Sequence, residues 1–155
     1  MQLFILRHGE ASFQAPSDEL RELTSRGMDE TRRVLERSRD AIPQSCLFLA
    51  SPLVRAQQTA TIAAEVLGFT DPKLLNLLTP EASMERLLNQ LAGFSADNIF
   101  LVSHQPLVGS LVNNLSGAQS NRYPMDTSSL ACLQGDDILP GCMELFFLHH
   151  RNSPH

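Results

Sequence analysis

The chain has little of what marks several large classes of protein. It has no excess of basic residues: 12 lysines and arginines stand against 17 aspartates and glutamates, for a formal net charge of −5. A nucleic-acid partner, which calls for a basic face, is therefore not expected. No apolar run approaches the roughly 20 residues needed to cross a bilayer. No basic stretch precedes the first apolar run, so no signal peptide is read at the N-terminus. The three cysteines, Cys46, Cys132 and Cys142, are odd in number and lack metal-ligand spacing. They read as reduced, buried thiols, and the setting expected is cytoplasmic. The sequence also lacks a phosphate-cradling G-x-x-x-x-G-K-[ST] loop, a carboxylate cluster for Mg²⁺, internal repeats and low-complexity segments.

What remains is an ordinary globular composition, 43% apolar and 19% charged over 155 residues. That length suits one domain with a real core, expected over residues 1–148, with 149–155 as a flexible polar tail. The stretch Leu3-Phe4-Ile5-Leu6-Arg7-His8-Gly9-Glu10 reads as a buried strand delivering a cation and an imidazole at its C-terminal end. Ligands of open α/β sheets bind at that end of the strands. Gly9 would allow either a positive φ or a close approach directly after the histidine.

The same pattern returns twice. Cys46 to Ala50 is a second apolar run, followed by Ser51-Pro52 and a helix from Leu53 to Leu67 that carries Arg55 in its first turn and stops at Gly68. Ile99-Phe100-Leu101-Val102 is the clearest buried parallel strand. It ends in Ser103-His104-Gln105-Pro106, before a helix from Leu107 to Leu115. Further helices are expected from Thr24 or Ser25 to about Ile42, stopped by Pro43, and from about Ser83 to Leu91, after Thr79-Pro80-Glu81. Lys73 to Leu78 is a minor strand or a loop. Ser128–Leu133 and Met143–Leu148 read as a closing antiparallel pair. Strands alternating with helices give an α/β class, a three-layer α/β/α sandwich with a mostly parallel, mixed sheet.

If Arg7, His8, Arg55 and His104 converge, they form a site for phosphoryl transfer. Two guanidiniums match phosphate oxygens, and a neutral imidazole is a nucleophile near pH 7. Such a transfer asks the protein for positioning and charge neutralisation, so no metal and no cofactor is expected. Taken singly, each residue has a plainer reading: His8 or His104 as a solvated or structural histidine, Arg55 as a surface helix residue. His149 and His150 are adjacent and would point to opposite faces of a strand, which argues against a metal site.

Arg7-His8-Gly9-Glu10, Ser51-Pro52-x-x-Arg55-x-x-x-Thr59-Ala60 and Val102-Ser103-His104, in that order and each after a strand, resemble the histidine phosphatase superfamily, with its phosphoglycerate mutase-like fold. Leu23-Thr24-x-x-Gly27, Arg21, Leu78-Thr79-Pro80 and His104-x-Pro106-Leu107-Val108-Gly109 resemble the small bacterial phosphohistidine phosphatases of that family. The resemblance runs from Met1 to about Leu133. It implies that His8 is the nucleophile that becomes phosphorylated, that Arg7, Arg55 and His104 bind the phosphoryl group, and that water hydrolyses the phosphohistidine enzyme. It places Arg21 beside the site as a further contact to phosphate or to the substrate protein.

One departure from the family stands out. Many members carry an acid that protonates the leaving oxygen, in one branch an Asp directly after the second histidine; here that residue is Gln105. Glu81 is the nearest candidate for the acid supplied from mid-chain in another branch, against its reading as an exposed first-turn glutamate. An alkoxide leaving group needs a proton in the transition state, whereas imidazole can already carry one near pH 7. A missing acid therefore suits P–N bonds. Short connections imply an open cleft, fit for a phosphohistidine displayed on a histidine phosphotransfer domain or a phosphocarrier protein, with a monomeric enzyme. A phosphatase of small metabolites and a non-catalytic phosphoprotein-binding module are the alternatives. Ser128 and Ser129 read as structural residues at a strand start.

Overall fold

The computed structural model describes residues 1–153. Four helices and a six-stranded sheet follow each other as β1 (Gln2–Arg7), α1 (Ser25–Ser38), β2 (Leu47–Ala50), α2 (Val54–Leu67), β3 (Lys73–Leu74), α3 (Met84–Ala92), β4 (Asn98–Ser103), α4 (Leu107–Ser116), β5 (Leu130–Gln134) and β6 (Glu144–His149). The strand order is β3-β2-β4-β1-β5-β6. The pairs β2/β3, β2/β4 and β1/β4 are parallel, while β1/β5 and β5/β6 are antiparallel. This is the mixed, mostly parallel sheet expected from the alternation of strands and helices.

Side chains alternate across a strand, so β1 feeds two separate cores. Leu3 and Ile5 join Ile99 and Leu101 under α3 and α4. Phe4 and Leu6 join Phe100 and Val102 under α1 and α2. The result is three layers, with both faces of the central strands dry, which is why β1 and β4 read as unbroken apolar runs. The Thr24 side chain accepts from the Gly27 backbone N–H and caps α1, and Ser83 does the same for α3 through Arg86. Gly68 ends α2 in the left-handed region at φ 75°. No helix of the described residues is long and apolar enough to cross a membrane.

Several boundaries differ from the sequence reading. α1 ends at Ser38, whose hydroxyl donates to the Val34 carbonyl, and one 3-10 turn, Arg39–Ala41, carries the chain on toward Pro43. β5 begins at Leu130 rather than Ser128, because Ser128 is left-handed (φ 63°) and turns its N–H onto the Arg7 and His8 carbonyls. β6 runs to His149. The segment after it is held rather than frayed as far as it is described. Ser129 Oγ meets His150 Nδ1 at 2.6 Å, Arg37 donates to the His150 and Ser153 carbonyls, and Arg151 donates to Thr127. The rest of the expected tail, Pro154 and His155, lies outside the described residues.

Candidate active site

The parallel register of β1 and β4 decides the centre of the site. Arg7 is the partner of Ser103, so the next residue on each strand, His8 and His104, emerges at the same sheet end. Their rings lie 5.0 Å apart, centroid to centroid. β2 flanks β4 on the other side and hands the chain to α2, whose first turn brings in Arg55. These residues line one cleft of about 410 Å³ together with Glu10, Ala11, Phe13, Asp18, Arg21, Pro80, Gln105 and Thr127. Larger hollows of about 610 and 660 Å³ open elsewhere, but neither holds an arginine or a histidine.

Hydrogen bonds fix the His8 imidazole in one state. Nδ1 lies 2.7 Å from the Gly9 carbonyl, which can only accept, so Nδ1 carries the proton. On the other side, Arg55 Nε donates to His8 Nε2 at 3.3 Å. Nε2 is therefore the acceptor nitrogen of the ring, and its one lone pair is held by Arg55 at the edge of the cleft that His8 lines. Burial, and after it the charges of Arg55, Arg7 and Arg21, drives the His8 pKa down to about 4 against the pull of the Gly9 carbonyl, so the ring is neutral at pH 7. His104 is pushed further, to about 3, by burial and then by His8 and Arg55. Its Nε2 lies 2.7 Å from Ser51 Oγ, and Ser51 Oγ accepts from the Leu53 N–H. We assign the Ser51 hydroxyl as donor to His104 Nε2, which puts the ring proton on Nδ1, a buried atom without a partner among the described residues. Ser51-Pro52 is thus both the start of the α2 turn and the clamp on the second histidine.

Arg7 donates through one Nη to the Met125 carbonyl and keeps Nε without a partner among the described residues. Burial lowers its pKa, and Asp126 opposes that. Arg55, 4% exposed, uses all three of its nitrogens. Beyond its bond to His8 it donates to the Asp18 backbone carbonyl at 2.7 Å and to Asp18 Oδ2 at 3.2 Å. Thr59, from the same motif as Arg55, accepts from the Gly9 N–H and donates to the Arg55 carbonyl. Gly9 is needed for close approach, not for a positive φ: a Cβ there would stand 2.7 Å from Thr31 Oγ1 and 2.8 Å from the Gly27 carbonyl.

Arg21 lines the cleft, yet its guanidinium is committed to its own loop. It donates to the carbonyls of Ser12 and Ala11 and to Asp18 Oδ1 at 3.3 Å, and its Cζ stacks 4.0 Å from the Phe13 ring centroid. Glu81 is not brought into the site. It is exposed, in the turn ahead of α3, and only its neighbour Pro80 reaches the cleft. Gln105 is a strut, its amide donating to Met125 and accepting from the Gly109 N–H. Ser128 and Ser129 support the site from behind, Ser128 through Thr31 Oγ1 at 2.8 Å and Ser129 through its carbonyl on the Arg7 N–H.

Residues 3–79 match the model of the histidine phosphatase superfamily, branch 1. Phosphohistidine phosphatase SixA of Escherichia coli (strain K12) is 34% identical over 133 residues, 83% of this chain and 81% of that one. The chain belongs to the histidine phosphatase superfamily. A SixA homolog from Haemophilus influenzae (strain ATCC 51907) is 29% identical over 143 residues, 84% of this chain and 87% of its own. The solved structure of the protein histidine phosphatase SixA complexed with tungstate superposes with a TM-score of 0.85 at 29% identity, covering 97% of each chain. The phosphoglycerate mutase-like fold of the superfamily is the three-layer arrangement seen here, and the family's Arg-His-Gly motif falls at the end of β1.

Asp18, Ser51 and Phe13 join the site without having been singled out in the sequence as site residues. Ser51 had a signal, its place two residues before a helix start. Asp18 and Phe13 sit in a mixed, proline-interrupted loop where no periodicity marks them.

Proposed function

We propose that this protein is a phosphohistidine phosphatase that removes the phosphoryl group from a histidine of a signalling or phosphocarrier protein. One observation carries the reading: the His8 imidazole is held neutral, with Nδ1 on the Gly9 carbonyl and the unprotonated Nε2 accepting from Arg55, a group also expected to bind the phosphoryl oxygens. In the first step His8 Nε2, released by Arg55 Nε, attacks phosphorus, the P–N bond to the substrate imidazole breaks, and the departing nitrogen takes that bond's electron pair, a proton on the ring's other nitrogen letting it leave neutral. In the second step water attacks the phosphohistidine, the bond to His8 Nε2 breaks, and orthophosphate leaves. Arg7 and Arg55 neutralise the equatorial oxygens, with the Nδ1–H of His104 as a third donor. No step calls for a metal, because these fixed cations and donors supply the charge stabilisation.

The choice of a P–N substrate rests on the acids. Asp18 is held as a carboxylate: its own partial burial raises its pKa, but Arg21 and Arg55 bring it below the ordinary value. Gln105 donates no acid proton, Glu10 is tied as an acceptor to the Thr24 hydroxyl at 2.9 Å, and Glu81 lies outside the cleft. Imidazole, unlike an alkoxide, leaves without such help. The reading carries with it a cytoplasmic setting, a histidine phosphotransfer domain or phosphocarrier protein as partner, and a monomeric enzyme.

The test follows phosphate release from a carrier protein phosphorylated on histidine, with wild type and His8→Ala, in the presence of a chelator. Fast release by wild type alone, with weak hydrolysis of an alkyl phosphate such as glycerol phosphate, is expected. Good ester hydrolysis without release from the protein would overturn the reading in favour of a metabolite phosphatase. Stoichiometric binding without turnover would make the protein a phosphoprotein-binding module.

A further inference from the structure

Asp18 stands where an incoming anion has to go. Arg55 places Nε on His8 Nε2 and both of its Nη groups on Asp18, one on the backbone carbonyl at 2.7 Å and one on Oδ2 at 3.2 Å. The other carboxylate oxygen, Oδ1, lies 3.3 Å from Arg21. A phosphoryl group bound beside His8 Nε2 and gripped by the Arg55 fork would need the Nη edge that Asp18 now holds. The Nη that reaches Oδ2 lies on the Nε side of the fork that a phosphoryl group would use, and two anions on one guanidinium repel.

The carboxylate is also built to leave. Asp18 is the first residue of a single 3-10 turn, Asp18–Leu20, that buries none of its residues, and its side chain is 62% exposed. Swinging it out breaks a few polar contacts at the surface and no apolar packing, so the motion belongs to the low-stability end of the fold. The frame behind it stays in place, because Arg21 is anchored on the Ser12 and Ala11 carbonyls and the loop base is closed by the Ser12 N–H on the Glu22 carbonyl.

We infer that Asp18 is an internal competitor of the phosphoryl group, which satisfies Arg55 in the resting site, is displaced by substrate and returns to expel orthophosphate. Its effect falls on ground-state anion affinity. It keeps the product from occupying the cleft, and so governs how strongly free orthophosphate inhibits the enzyme. This rests on the proposed role of Arg55 as a phosphoryl-binding group.

The experiment titrates tungstate and orthophosphate by calorimetry into wild type, Asp18→Asn, Asp18→Ala and Arg55→Ala, and measures orthophosphate inhibition of turnover in the two Asp18 variants. Removing one negative charge a few ångströms from the bound anion, at a position open to water, is expected to tighten oxyanion binding about tenfold. Orthophosphate inhibition should strengthen by the same factor. Unchanged affinity in both Asp18 variants would overturn the inference and leave the site reading intact. Weaker binding would overturn it too, and would make Asp18 a positioning residue that orders Arg55. Equal oxyanion binding by wild type and Arg55→Ala would overturn the phosphate-site reading itself.

Discussion

Acid should weaken this fold through His8, and the amount follows from its surroundings. An unfolded imidazole takes its proton near pH 6.5; the buried His8 takes one only near pH 4. Between those values the unfolded chain binds more protons, so stability is full above pH 6.5 and is lost as the pH falls toward 4. Each pH unit in that window costs about 1.4 kcal/mol. Going from pH 7.5 to 5.0 should therefore remove about 2 kcal/mol on account of His8 alone. The comparison is wild type against His8→Asn, which has no titrating ring there; His104 is common to both and largely cancels. The chain has no tryptophan, so urea unfolding is best followed by helical circular dichroism, at pH 7.5, 6.0 and 5.0. Wild type should lose about 2 kcal/mol more than the variant across that range. Parallel losses would refute the argument, for they would mean that His8 protonates in the fold as readily as in water.

Three further outcomes follow from the geometry. Ser51→Ala removes the hydroxyl that holds His104 Nε2, and should lower kcat on a phosphohistidine protein about tenfold with little change in circular dichroism; Ser51→Thr should restore much of the loss. Gly27→Ala would put a Cβ 2.2 Å from the Glu10 carbonyl oxygen, so the contact between α1 and the chain after His8 must open, at a cost of about 3 kcal/mol in urea unfolding. Glu81→Gln, at an exposed turn outside the cleft, should change turnover less than twofold on both protein and ester substrates; a large loss would restore Glu81 as a proton donor.

The framework of the molecule was readable because its signals are local. β1, β2 and β4 are short apolar runs, Gly68 marks the end of α2, and Ser83 and Thr24 precede helices that they cap. The meeting of Arg7, His8, Arg55 and His104 was also readable, since three motifs repeat one arrangement at strand ends. What escaped was set by tertiary contacts. Ser128 looks like a strand former until its backbone is required by the Arg7 and His8 carbonyls. Arg21 is expected as a contact to phosphate or to the substrate protein, and the carbonyls that hold its guanidinium in the cleft wall are visible only once the loop is folded back on itself. Asp18 is separated from Arg55 by 37 positions, and nothing in its own loop foretells the pairing.

The insertion of β4 between β1 and β2 has a consequence for how the protein comes into being. The matched segment, residues 3–79, already contains the first two motifs. Yet the strand that sets His8 and Arg55 at their spacing starts only at Asn98, and the Arg7 backbone is closed off only by Ser128 and Ser129. A ribosome that has delivered the first half of the chain has delivered the family signature and no working centre. A chain that stops before β4 lacks His104 and the strand between His8 and Arg55, and is expected to be silent rather than partly active.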